Sequence, residues 1–222
     1  MEHTVRAVDI DLDGLAKDVA AMGDLAVAQV RAAVDVFQRH DLAMAAKVVR
    51  ADDALDIQDV EIEKRAVRFI ALRQPMADDL RRPIAAMKTA MQLERCGDLA
   101  KNIAKRVGRM GAPASIAAIA SVAELGTLAA VRLAEVIDAF RDGDAQGAYA
   151  VWLKDTEIDE RHDAVLAQIV AEMTASPATV ADGAHLLFIA KNLERIGDHA
   201  TNIAELVHYQ LTGEDLADRP KL

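Results

Sequence analysis

The chain is predicted to be all-α, built as two tandem three-helix bundles of long antiparallel helices that arose by internal duplication. Three observations carry this. Hydrophobic residues make up 52% of the sequence but aromatics only 3%, so the apolar mass is Ala, Val, Leu, Ile and Met. Ala, Leu and Met are strong helix formers. Turn-forming residues are sparse and clustered, leaving stretches far longer than strands allow. Finally, the second half of the chain repeats the first.

The candidate turns are Arg39-His40-Asp41, Gln74-Pro75-Met76, Gly108 to Pro113, Asp142-Gly143-Asp144 and Ser176-Pro177. Between them six helices are predicted, at about 9–39, 41–73, 77–109, 114–141, 144–175 and 179–210. In the first, Leu15, Val19, Met22, Ala26 and Val30 recur at three- and four-residue steps, the period of one helix face. Each helix would span roughly 45 Å at 1.5 Å per residue. Short links between long helices force antiparallel neighbours.

The duplication is read by shifting the chain on itself. A shift of 103 places Val34, Asp35 and Phe37 on Ile137, Asp138 and Phe140, and Asp41, Asp52 and Asp56 on Asp144, Asp155 and Asp159. Further on the shift is 100, and residues 93–104 match residues 193–204 at nine of twelve positions. The difference of three falls where the second turn of each copy lies. This divides the chain into a first bundle, 1–110, and a second, 111–222, joined through Gly108–Pro113.

Each copy carries Glu-x-x-x-Asp on its last helix: Glu94 and Asp98, then Glu194 and Asp198. That spacing puts both carboxylates on one face, where like charges repel. The preceding helix carries Asp52 and Asp56, then Asp155 and Asp159. In an antiparallel hairpin, facing residues have numbers with a constant sum. Asp52 with Asp98, and Asp56 with Glu94, share the sum 150, centred on Pro75. Asp155 with Asp198, and Asp159 with Glu194, share 353, centred between Ser176 and Pro177. Four carboxylates thus lie level across each hairpin, which is costly unless a cation is shared. Oxygen-only donors select hard cations such as Mg²⁺, Ca²⁺, Mn²⁺ or Fe³⁺, with Zn²⁺ also accommodated. Asn102 and Asn202, one turn on, are candidates for a further ligand or a supporting hydrogen bond. The competing reading is a solvated acidic face paired with Arg95, Lys101, Arg161 or Arg195.

Other chemistry is not encoded. A net charge of −10 excludes nucleic acid as the main partner. Gly97 and Gly197 stand where a ferritin-type site needs His; their expected use is close approach of a neighbouring helix. Cys96 has Ile196 as its counterpart and reads as a core residue. There is no Ser-His-Asp set, P-loop or Gly-rich nucleotide loop. No catalytic set being present, the chain is expected not to be an enzyme. No secretory leader or bilayer-length apolar run is seen, so a protein without a membrane span is expected. Arg65, Arg68, Arg73, Arg81 and Arg82 gather around Pro75 and are expected to form a basic docking tip for an acidic protein.

The segment from Gln74 to Arg81 (QPMADDLR), the Leu93–Asp98 motif (LERCGD) and the stretch from Leu193 to Glu205 (LERIGDHATNIAE) resemble the PhoU family, over about residues 9–210. That resemblance implies paired three-helix bundles, with iron or zinc bound at the acidic motifs in some members. It implies a cytoplasmic negative regulator of phosphate uptake and phosphate-starvation signalling. The expected role is an adaptor between the ATPase subunit of a phosphate ABC transporter and a sensor histidine kinase, and homodimers are expected. Carried over, the metal candidates are Glu94, Asp98, Glu194 and Asp198, with Asp52, Asp56, Asp155 and Asp159 opposite. Lys101, where the second copy has Thr201, is placed to neutralise Asp98. The competing classes are a carboxylate-bridged metal-dependent hydrolase and a metal-binding structural or storage bundle.

Overall fold

The computed structural model describes residues 2–111 and 117–216. The described residues are helical, with no strand among them. The helices are α1 (Glu2–Arg39), α2 (Leu42–Ala51), α3 (Asp53–Arg73), α4 (Asp78–Val107), α5 (Ala118–Asp142), α6 (Ala145–Leu153), α7 (Asp155–Ala175) and α8 (Val180–Thr212), with one 3-10 turn, Pro177–Thr179, before α8. The first bundle is α1 to α4 and the second α5 to α8. The joint between them, Gly108 to Pro113, lies partly outside the described residues.

Equivalent sequence positions shape equivalent turns. Asp41 caps α2, its side chain accepting from the Met44 N–H at 2.9 Å, and Asp144 caps α6 by accepting from Gln146 and Gly147 at 3.0 and 2.9 Å. Both satisfy amides that a helix start leaves without partners. At the first hairpin tip Gln74 takes a left-handed conformation (φ 48°) and its N–H closes on the Ile70 carbonyl at 3.0 Å, ending α3 before Pro75.

The second helix of each copy departs from the expected single rod. The stretch 41–73 breaks between α2 and α3 at Asp52, and 144–175 breaks between α6 and α7 at Lys154. Neither break contains Gly or Pro. Each is marked by a tightened i→i+3 bond, from the Leu55 amide to the Asp52 carbonyl at 2.9 Å and from Lys154 to Val151 at 3.0 Å. The breaks coincide with the first carboxylate of each acidic cluster.

α4 and α8 cross antiparallel at the centre: Gln92 meets His199, Arg106 meets His185, and Arg81 lies over the Tyr209 ring. Behind them α1 and α5 also pack on each other. That second crossing uses the duplication directly. A Cβ on Gly126 would fall 2.7 Å from Val34 Cγ2, and one on Gly23 would fall 2.7 Å from Ile137 Cδ1. Gly23 and Gly126 are equivalent positions, as are Val34 and Ile137, so each glycine receives the β-branched residue of the other copy. The buried residues of both copies therefore form one continuous core. Gly126→Leu is predicted to overpack this contact and cost about 1–3 kcal/mol. A denaturant melt checks it, and Val34→Ala should recover part of the loss; an unchanged midpoint would contradict the packing.

Three of the five arginines around Pro75 are neutralised and not free. Arg65 is paired with Asp18, Arg73 with Asp11 at 2.9 Å and Arg82 with Asp13 at 3.0 Å. The acidic stripe of α1 runs alongside and neutralises them, an arrangement that local charge counting around the turn does not reveal.

Candidate metal centre

The two acidic clusters occupy equivalent places, α3 against α4 and α7 against α8. Glycine lets the helices approach there. A Cβ on Gly97 would lie 2.4 Å from Leu55 Cδ1, and one on Gly197 2.6 Å from Ile158 Cδ1. Leu55 and Ile158 are equivalent residues, each on the helix that carries the opposing acids.

In the second copy Asp159, Glu194 and Asp198 each present an oxygen within 4.8 Å of the others. Glu194 Oε1 accepts from the Lys191 ammonium at 2.6 Å, while Oε2 is buried and without a hydrogen-bond partner. Burial raises the pKa of the Asp198 carboxyl, with the charges of Glu194 and Asp159 adding to the effect. Asp159 is raised likewise, by burial first and then by Glu194 and Asp163. Asp155 is not one of these three; it is buried and accepts from the Thr201 hydroxyl at 2.6 Å.

In the first copy the arrangement differs. Asp52 is only 1% exposed. Its Oδ1 accepts from Gln29 Nε2 at 3.1 Å and its Oδ2 from Lys101 Nζ. The same ammonium donates to Asp98 Oδ1 at 2.8 Å. Hydrogen bonds to Asp52 and Asp98 push the Lys101 pKa up, so it stays charged. Arg95 approaches Glu94 at 3.4 Å and Asp98 at 3.9 Å. Glu94 is raised by burial and by Asp98, and Asp56 by burial and by Asp52, although Lys101 opposes the latter.

The remaining candidates lie apart from the three-carboxylate group. Asn202 donates to Gln92 Oε1 across the α4–α8 crossing at 3.3 Å, and Asn102 is exposed. His199 is held by the same Gln92 oxygen at 2.6 Å, and burial together with Arg195 and Arg95 lowers its pKa. Cys96 is fully buried, which pushes its thiol far up and keeps it protonated. Sequence reasoning passed over Gln29 and its counterpart Arg132. The 103-residue shift pairs these two positions, but they sit on α1 and α5, outside the acidic motifs.

A PhoU domain model matches residues 19–107 and again 122–207. The chain is 47% identical over 223 residues to the phosphate-specific transport system accessory protein PhoU homolog of Caulobacter vibrioides, covering all of this chain and 97% of that protein. The corresponding Zymomonas mobilis protein is 38% identical over 219 residues, covering 99% of this chain and 92% of its own length. The crystal structure of PhoU from Pseudomonas aeruginosa superposes with a TM-score of 0.87 at 32% identity, covering 93% of this chain and 99% of that one. The chain belongs to the PhoU family. As a member it has the tandem helical-bundle fold, and Glu94, Asp98, Glu194 and Asp198 lie on the motifs that carry the family resemblance. Among its described residues no helix is long and apolar enough to cross a membrane.

The residues of the second cluster fit a hard cation. Three carboxylate oxygens converge, one further oxygen of Glu194 is buried without a partner, and Asp159 and Asp198 are both raised, by desolvation first and then by the charge of Glu194. A cation relieves all three costs. The raised carboxyls also fix a pH dependence. An acid whose folded pKa is raised contributes stability that is present at low pH and lost as the pH rises through the raised value. Metal-free protein is therefore predicted to lose melting temperature as the pH rises from about 4, the ordinary Asp value, through the raised values of Asp159 and Asp198. Calorimetry of wild type against Asp159→Asn/Asp198→Asn checks this; the variant should lack that part of the fall, and an identical profile would contradict it.

Proposed function

We propose that the chain is an accessory regulator of phosphate uptake and phosphate-starvation signalling, and that it acts by binding without turnover. The reading is supported above all by its similarity, over essentially the whole length, to proteins named as accessory proteins of the phosphate-specific transport system. In this role it is a cytoplasmic adaptor and homodimer. It contacts the ATPase subunit of a phosphate ABC transporter on one side and a sensor histidine kinase on the other, and lowers the starvation response when phosphate is plentiful. Contacts that must be made and released suit modest interfaces of the transient kind.

Within this reading Asp159, Glu194 and Asp198 hold one divalent or trivalent cation, iron, zinc, manganese or magnesium, and the ion neutralises the face between α7 and α8. The acids would then all serve as ligands, which leaves the hydrolase reading without a separate general base. Capture of the tagged chain from phosphate-replete cells, followed by mass spectrometry, tests the adaptor role. Recovery of the transporter ATPase and the kinase is the expected result. Recovery of neither, from cells that contain both, would overturn it.

A further inference from the structure

The two copies hold their acids with different cations, and the difference is a reciprocal exchange at two equivalent positions. In the first copy the α4 position is Lys101 and the α1 position is Gln29. In the second the α8 position is Thr201 and the α5 position is Arg132. Each copy thus keeps one cation and one neutral hydrogen-bonding group, but with their places swapped.

The consequences for charge are not equivalent. Lys101 reaches between α3 and α4 and puts its ammonium on both Asp52 and Asp98. Gln29 completes Asp52 with an amide hydrogen bond and carries no charge. Arg132, also buried, donates from Nη1 to Glu135 at 2.8 Å and from Nη2 to Glu157. Neither of those acids belongs to the three-carboxylate group. Thr201 gives Asp155 a hydroxyl and no charge. Lys191 reaches Glu194 from the solvent side, 55% exposed, and engages one oxygen only. The second cluster therefore keeps a buried Glu194 oxygen without a partner, whereas Lys101 is charged and doubly bonded in the first.

We propose that Lys101 is a tethered cation. Its ammonium neutralises Asp98, the counterpart of the second copy's Asp198, together with the buried Asp52, so the first cluster does not take a metal ion and the chain carries one metal site and not two. This rests on the metal reading of the second copy. The family resemblance implies metal at both motifs; the residues of the first do not fit that expectation, because the charge a metal would supply is already there and covalently attached. An ammonium bonded to two carboxylates leaves an incoming divalent ion to displace it before binding.

The exchange can be made in both directions. Lys101→Thr copies the second site into the first, and Thr201→Lys with Arg132→Gln copies the first into the second, leaving every carboxylate in place. Each protein is stripped with chelator, dialysed against Mn²⁺, and its bound manganese measured by elemental analysis, with circular dichroism confirming the fold. The expected loads are one ion per chain for wild type, two for Lys101→Thr, and none for the double variant. Two ions on wild type, or one on folded Lys101→Thr, would overturn the inference, as would one on the folded double variant. Should that variant fail to fold, Lys101→Thr decides alone. If wild type binds none, the metal reading of the second copy fails separately. A gain from none to one in Lys101→Thr would still uphold the tethered cation, and no gain would overturn it.

Discussion

Glu194→Gln combined with Asp198→Asn is expected to abolish metal retention. Two of the three converging carboxylates lose their charge, and the third, Asp159, cannot hold an ion alone. Affinity should fall by more than the 10- to 100-fold that loss of a supporting residue typically costs, since these are direct ligands. Stability should change in opposite directions with and without metal. At a metal concentration about 100 times the dissociation constant, binding stabilises the wild type by about 2.7 kcal/mol, and the variant forgoes this. Stripped of metal, the variant should be slightly the more stable, because repulsion between carboxylates one turn apart costs a few tenths of a kcal/mol. Thermal melts with chelator and with Mn²⁺ check both halves. A variant that melts like wild type in both conditions would contradict the cation role of these side chains.

The other large effect concerns the first copy. Lys101→Met is expected to destabilise the protein by about 3 kcal/mol, the scale seen when one partner of a buried ion pair is removed. Asp52 is the reason. It is almost wholly buried and would be left as an anion supported by Gln29 alone. Asp52→Asn in the same background should recover most of the loss, since an amide can remain buried without a counter-charge. Chemical denaturation of the two variants measures this. A cost below about 0.5 kcal/mol would place Lys101 among surface pairs, whose contribution is small.

Much of this architecture is legible in the sequence because duplication supplies its own control. Helix period, paired turns, the meeting of Asp52 and Asp98 on one ammonium and the closeness of Asp159 to Glu194 all follow from spacing, and the Lys101–Asp98 contact is anticipated by their separation on one helix. What is not legible depends on packing between distant segments. The breaks at Asp52 and Lys154 involve residues of ordinary helix propensity, so nothing local announces them. The neutralised arginines need α1 laid beside the first hairpin tip. The roles of Gln29 and Arg132 emerge only when α1 and α5 are placed behind the acidic helices. Gly23 and Gly126 look like weak points in their helices until each is seen receiving the β-branched residue of the other copy.

The central claim, that this chain restrains the response to phosphate scarcity by binding, is tested most directly by a phosphate-starvation reporter in cells grown in high phosphate. With the gene deleted, reporter output should rise to near the starved level, and expression of the wild-type chain should bring it down again. Output in the deletion strain as low as in wild type would contradict the claim.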